Sequence, residues 1–183
     1  MLGRQKYHLC CLLQLTRIAW VVKFCIHYLA LSLLLFGAAS QAATTTGMVI
    51  GVSDGDTLTL LDNSQTQRKV RLSGIDAPEK AQPHGEQSKQ SLSAMVFGKT
   101  VTVEGGKTDR YGRTVGKVLV GGLDACLEQI KLGLAWHYKA YENEQPPVDR
   151  QAYGEAEKKA KASRLGLWQD AQPIPPWEWR TVK

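Results

Sequence analysis

Between residues 48 and 120, hydrophobic and polar positions switch at short intervals, and turn-forming residues punctuate the switches. Residues 48–52 form an apolar run that ends at Ser53-Asp54-Gly55, a turn signal. Residues 56–61 alternate in part, with Thr57 and Thr59 set among Leu58 and Leu60, and Asp62-Asn63-Ser64 turns the chain again. Residues 67–75 alternate more strictly. Val70 and Leu72 fall on one side and Arg71 and Ser73 on the other, as on a half-buried strand. Pro78 ends that strand, having no N–H to give to a ladder. The period changes over residues 85–96, where Ser88, Leu92, Met95 and Val96 share one helical face and Glu86, Lys89 and Gln90 another. Strand-like stretches return at residues 100–104 and 115–120, on either side of a polar loop, Thr108-Asp109-Arg110-Tyr111-Gly112-Arg113. Asp124 is placed to cap a helix that runs through Ile130 and is closed by Gly133. A further helix is predicted over residues 149–163, with Tyr153, Ala156 and Ala160 inward. Residues 173–179, rich in Pro and Trp, read as an irregular strap packed on the domain.

Short strands interrupted by one helix and followed by others predict an α+β domain. The best match is a five-stranded β-barrel of the OB type with about three helices, although periodicity alone also fits other small α+β domains. The domain spans residues 43–170, and residues 171–183 form the tail.

The first 42 residues have a different character. They carry Arg4, Lys6, Arg17 and Lys23 and no acidic residue, then an apolar run over residues 24–36, then Gly37-Ala38-Ala39-Ser40-Gln41-Ala42-Ala43. Basic start, apolar middle and small-residue end are the parts of a secretory signal peptide, with cleavage after Ala42. A retained membrane anchor is the alternative. The apolar run after Lys23 is short for a bilayer span of about 20 residues, and Lys23 interrupts the longer stretch. The expected product is exported, periplasmic or secreted, without stable membrane association, and monomeric.

Removing that segment changes the charge picture. The chain has 23 Lys and Arg against 17 Asp and Glu, net +6. Without the four basic residues of the leader, 19 remain against 17, so net charge is a weak pointer to nucleic acid and a specific site must carry the case. Cys10, Cys11 and Cys25 leave with the leader. Cys126 remains alone, reads as a small buried hydrophobe and can form no internal disulfide.

Three clusters carry candidate chemistry: Asp54-Gly55-Asp56-Thr57, the segment from Arg71 to Glu79, and Asp109-Arg110-Tyr111-Gly112-Arg113. Singly, each has a bland explanation in turns and solvated strand faces. Together they supply carboxylates at strand ends (Asp56, Asp76, Glu79) and two arginines on different segments (Arg71, Arg113). Hard oxygen ligands suit calcium. Two guanidinium forks match the oxygens of a phosphate. A spare carboxylate can orient or deprotonate water. That set is complete for phosphodiester hydrolysis. Zinc chemistry lacks its ligand cluster, since His84, His137 and Cys126 are widely separated, and no nucleophile elbow or phosphate-binding loop occurs.

The same clusters resemble the hallmark of the staphylococcal nuclease family: D-G-D-T, then R-L-x-G-I-D-x-P-E, then D-x-Y-G-R. Leu132-Gly133-Leu134-Ala135 and Gly166-Leu167-Trp168 continue the pattern, so the resemblance runs in order over residues 46–168. The closing Pro175-Pro176-Trp177-Glu178-Trp179-Arg180 also resembles exported bacterial members. The resemblance implies an OB barrel with three helices and a calcium-dependent nuclease that cleaves DNA and RNA, single strands preferred, to 3′-phosphate products. It implies Asp56 and Asp76 as metal carboxylates, the Ala77 carbonyl as a further ligand, and Asp54 as a supporting carboxylate. Arg71 and Arg113 would hold the phosphate, Glu79 would position or activate water, and Tyr138 and Tyr141 would lie beside the nucleotide. One position departs from the pattern, with Ala77 where the classical enzyme has Thr, which keeps a carbonyl and loses a hydroxyl. The competing expectation is a non-catalytic OB module that grips single-stranded nucleic acid through aromatics and charge. The presence of Asp56, Arg71, Asp76, Glu79 and Arg113 favours the enzyme.

Overall fold

The computed structural model describes residues 43–181. The predicted leader lies outside the described residues. In chain order the elements are β1 (Thr44–Val52), β2 (Thr57–Asp62), β3 (Gln67–Leu72), β4 (Ile75–Asp76), α1 (Gly85–Val96), β5 (Thr100–Thr108), β6 (Thr114–Val120), β7 (Leu123–Asp124), α2 (Ala125–Lys131), β8 (Trp136–His137), α3 (Pro147–Ala162) and α4 (Pro176–Trp179). Short 3-10 segments cover Lys139–Glu144, with a kink at Tyr141, and Gly166–Gln169.

β1 sits between the antiparallel hairpin β2–β3 on one side and β5–β6 on the other. The sheet then closes on itself. β3 pairs with β6 in parallel, Val70 opposite Thr114, Arg71 opposite Val115 and Leu72 opposite Gly116. Closure makes a five-stranded barrel with no free edge along that seam. The inward positions are Val49, Leu58, Leu60, Val70, Leu72, Val101, Val103 and Val118, all buried. Each such side chain contributes about 1.5–3 kcal/mol through loss of apolar surface from water. Leu92 and Val96 of α1 and Ile130 of α2 extend the same core.

Two strands run further than their sequence pattern predicts. β1 begins at Thr44 because three β-branched threonines pair with β5 from Thr44–Glu104 to Met48–Thr100. β5 continues through Gly105-Gly106 to Thr108 with a register shift between Gly105 and Lys107. The glycines therefore bulge the strand rather than end it. The tail contains a short helix, α4, entered at Pro176, where an irregular strap is predicted. Proline suits the first helical position because its missing N–H would have no helical partner there.

Helices α2 and α3 are joined through one carboxylate. Asp124 Oδ1 accepts from the backbone N–H groups of Cys126 and Leu127, capping α2. Its Oδ2 accepts from the hydroxyl of the buried Tyr153 on α3, at 2.8 Å. Cys126 is buried and free, and burial pushes its thiol well above the ordinary range, so it packs as a small hydrophobe. No described helix is long and apolar enough to cross a membrane.

Candidate active site

The β1–β2 turn is held from behind. Gln129, fully buried on α2, donates from its amide to the Gly55 carbonyl at 2.8 Å and to the Ser88 carbonyl at 2.9 Å. Ser88 in turn donates to the Leu134 carbonyl at 2.7 Å. Gly55 is packed so closely that an added Cβ would overlap Ser88 Oγ and come within 2.8 Å of the Ala77 Cβ. A side chain at this position is therefore excluded, and the turn is pressed against the start of the next cluster.

Strand register then delivers the charged groups. Thr57 is paired with Arg71, and the Leu72 N–H donates to the Asp56 carbonyl at 2.8 Å. Asp56 thus lies beside the last turn of β3. β4 follows at once and pairs with β8, Asp76 opposite Trp136 and Ile75 opposite His137. The Tyr138 N–H donates to the Gly74 carbonyl at 2.9 Å, which brings the tyrosine segment alongside the same loop.

Asp56 and Asp76 are both buried, at 5% and 0% exposure, and share one guanidinium. Arg71 Nη1 pairs with Asp56 Oδ2, and Nη2 donates to Asp76 Oδ1 at 2.7 Å. Asp56 Oδ2 also accepts from the Ala77 N–H at 2.6 Å, and Oδ1 from the Thr57 hydroxyl at 3.1 Å. Asp54 sits behind them, its Oδ1 accepting from the Asp56 N–H at 3.1 Å. Burial, and then the charge of Asp56, push the Asp54 carboxyl up to about 6. Burial also raises Asp76 above the usual carboxylate range, against the pull of Arg180 and Arg71. Burial works to lower Arg71, but the charges of Asp56 and Asp76 outweigh it and leave the guanidinium more firmly protonated.

Arg113 occupies the opposite side of the barrel seam, one residue before the Val70–Thr114 pair. Its Nε and Nη2 both donate to Asp109 Oδ2, at 2.8 and 2.7 Å. Asp109 Oδ1 accepts from the Arg113 and Tyr111 N–H groups and so shapes the loop. Burial resists ionisation of Asp109, but these donors lower it on balance. Tyr111 is 70% exposed and lies under both Arg110 and Arg113, at 5.3 and 5.2 Å from its ring centre. Tyr138 and Tyr141 pack together with ring centres 5.3 Å apart, and Trp177 stacks on Tyr138 at 5.5 Å.

The sequence-predicted residues therefore fall into one tight group and two flanks. Asp54, Asp56, Arg71, Asp76 and Ala77 are joined by direct bonds. Arg113 is held by Asp109, and the tyrosines form an aromatic flank. Neither histidine among the described residues joins the group. His137 is buried, its N–H donating to Glu157, and Lys139 Nζ lies 2.7 Å from its Nδ1. An ammonium only donates, so Nδ1 accepts, and Nε2 carries the hydrogen bonded to Gln145 Oε1 at 2.8 Å. His84 pairs with Asp170 at the surface.

Besides Gln129, two further residues of the site carry no sequence signal of their own. Arg180, just beyond α4, donates from Nη2 to Asp76 Oδ2 at 2.8 Å and from Nη1 to Glu79 Oε1 at 2.8 Å. Gln82, buried, accepts from the Glu79 N–H at 3.1 Å and donates to the Ile174 carbonyl at 2.6 Å. The only trace of either in the sequence is the Pro-Pro-Trp anchor ahead of Arg180, which has no periodicity.

A closed OB barrel with buried acids bridged by arginine defines the class. The family described as "Staphylococcal nuclease homologue" matches residues 69–170. This stretch contains Arg71, Asp76, Ala77, Glu79, Arg113, Tyr138 and Tyr141 and stops short of Asp54 and Asp56. The chain is 41% identical over 143 residues to an "Uncharacterized endonuclease" of Haemophilus influenzae, covering 78% of this chain and 77% of that one. It is 39% identical over 159 residues to an "Uncharacterized endonuclease" of Escherichia coli O157:H7, covering 85% and 98%. It is 41% identical over 143 residues to a "Micrococcal nuclease" of Shigella flexneri, covering 73% and 79%. The chain belongs to the staphylococcal nuclease family.

Proposed function

We propose that this nuclease, a phosphodiester hydrolase acting on nucleic acid, is calcium-dependent and cleaves DNA and RNA alike to 3′-phosphate products. The observation that carries the reading is the Asp56–Arg71–Asp76 cluster: two buried carboxylates and a guanidinium, held from behind by Gln129 and Gly55.

The donor set fits a hard cation. Among the described residues no group of three or more His, Cys, Asp or Glu is spaced to hold a metal. Two carboxylates with a backbone carbonyl and solvent are nonetheless what calcium accepts, and the set contains neither imidazole nor thiolate. Asp56, Asp76 and the Ala77 carbonyl would hold the ion. When bound, it would neutralise phosphate charge and favour deprotonation of water.

The chain's own residues divide the remaining work. Arg71 and the Nη1 end of Arg113 bind the non-bridging oxygens, and their hydrogen bonds strengthen as charge grows on the phosphoryl group. Glu79 holds a water in line with the P–O5′ bond and takes its proton. The water oxygen bonds to phosphorus, the P–O5′ bond breaks, and the 5′ oxygen leaves as a hydroxyl with a proton taken from solvent, so the phosphate stays on the 3′ side. Contacts to phosphate rather than base edges give little sequence preference. Tyr138 and Tyr141 offer stacking to unpaired bases, which favours single strands. The leader exports the protein as a monomer to the periplasm or medium.

The test is cleavage of denatured DNA and of RNA with calcium and with EGTA, beside Glu79→Gln and Arg113→Ala. Calcium-dependent cleavage of both substrates, reduced by about 10²-fold or more in each variant, is expected, with ends that phosphatase removes as 3′-phosphate. Salt-sensitive binding without cleavage would overturn it and leave a binding module. Amino-terminal sequencing of protein recovered outside the cytoplasm checks cleavage after Ala42.

A further inference from the structure

The tail is built into the candidate active site. Pro176 is buried, and Trp177 stacks on Tyr138 and meets Trp136 edge-on with ring centres 6.3 Å apart. The buried Gln82 amide ties the tail to the loop that carries Glu79, using its oxygen for the Glu79 N–H and its nitrogen for the Ile174 carbonyl. These anchors deliver Arg180. Its fork spans Asp76 Oδ1 and Oδ2, at 3.3 and 2.8 Å, while Nη1 also reaches Glu79.

We propose that Arg180 is a positioning residue of the nuclease reaction, fixing the Glu79 carboxylate relative to Asp76. The inference rests on the catalytic reading above, in which Asp76 faces the cation and Glu79 faces the water. The geometry supports positioning over simple charge balance. A single planar group makes charge-assisted hydrogen bonds to both carboxylates, and only a fork can do so in one plane. The Glu79 carboxylate bonds no other side chain among the described residues, so without Arg180 it is free to rotate. Positional error on this scale is costly to a reaction that needs water in line with the leaving group.

Positioning has a signature that other roles lack. Arg180 places positive charge on a carboxylate that the cation also uses, so its removal tightens calcium binding while turnover falls. A purely structural tail would lose both together. A strap that occludes the site would, once removed, gain both.

The experiment compares the full-length protein with Arg180→Gln and Arg180→Lys. Calcium binding is measured by titration calorimetry, kcat and KM on single-stranded DNA, and folding by thermal melts followed by circular dichroism. Arg180→Gln is expected to bind calcium as tightly as wild type or several-fold tighter, with kcat at least tenfold lower and KM little changed. Arg180→Lys restores the charge, returns calcium affinity towards wild type and recovers little of kcat. Calcium affinity and kcat falling together, or rising together, would overturn the proposal, as would an unchanged kcat. A wild-type protein that binds no calcium would instead remove the cation reading on which the proposal rests. If Arg180→Gln does not fold, Arg180→Lys alone decides through its kcat.

Discussion

Burial and a neighbouring acid both act against the charge of Asp54, and Asp54→Asn isolates that cost. The substitution keeps an oxygen for the Asp56 N–H and removes the charge. Burial and the neighbouring Asp56 raise the Asp54 carboxyl from 3.8 to about 6. A raised folded value means that the group's contribution to stability is fully present below the unfolded value and is lost as pH rises through 6. At about 1.36 kcal/mol per pH unit, the rise corresponds to about 3 kcal/mol at full weight. Asp54 keeps some contact with solvent, and Arg71 offsets part of the Asp56 charge, which leaves about 1–2 kcal/mol. Asp54→Asn is therefore expected to be more stable than wild type at pH 8 by that amount, with the gap closing by pH 4. The assay is urea unfolding at pH 4, 6 and 8 in EGTA. A gap that is constant with pH, or a variant less stable than wild type at pH 8, would refute the reasoning and show that hydrogen bonding rather than charge sets the energy of the turn.

Asp124→Ala removes a helix cap and strands the buried Tyr153 hydroxyl, and is expected to cost about 2–4 kcal/mol in denaturant unfolding. Tyr153→Phe, which leaves the cap intact, should cost about 1 kcal/mol. Gly55→Ala should destabilise by about 1–3 kcal/mol, since its Cβ must displace Ser88 or Ala77. Its cleavage rate should fall further than that of Asp54→Asn, because the whole turn moves. The Ser64 hydroxyl, Arg68 and the Thr66 N–H hold Asp62 well below the usual carboxylate range. Its contribution is thus present above the unfolded value near 4 and lost as pH falls. Asp62→Asn should be less stable than wild type at pH 7, with the difference narrowing below about pH 4 in acid titration.

The elements with a clean period were legible in the sequence. α1 spans the residues its apolar face predicts, and Asp124 caps α2 because its neighbours offer no competing acceptor. The barrel was legible as a class, but its closure was not. The parallel β3–β6 seam depends on pairing residues more than forty apart, which alternation does not encode. The strand-like pattern stops at residue 104, ahead of Gly105-Gly106. Here cross-strand bonds to β6 carry the chain through as a bulge. In the site, residues on strand ends were visible because charged groups there have no packing role to explain them. Gln129 and Gln82 were invisible, since a buried amide matters only through the backbone groups it satisfies. Arg180 was invisible for a related reason: its partner Asp76 lies 104 residues away.

That separation has a consequence in time. A ribosome delivers Asp56, Arg71, Asp76 and Glu79 early, yet the guanidinium that spans Asp76 and Glu79 follows only after a further hundred residues have been made. A half-synthesised or unthreaded chain thus holds its acids and no completed site. Order of synthesis therefore leaves the chain without the Arg180 bridge until its C-terminal residues have been made.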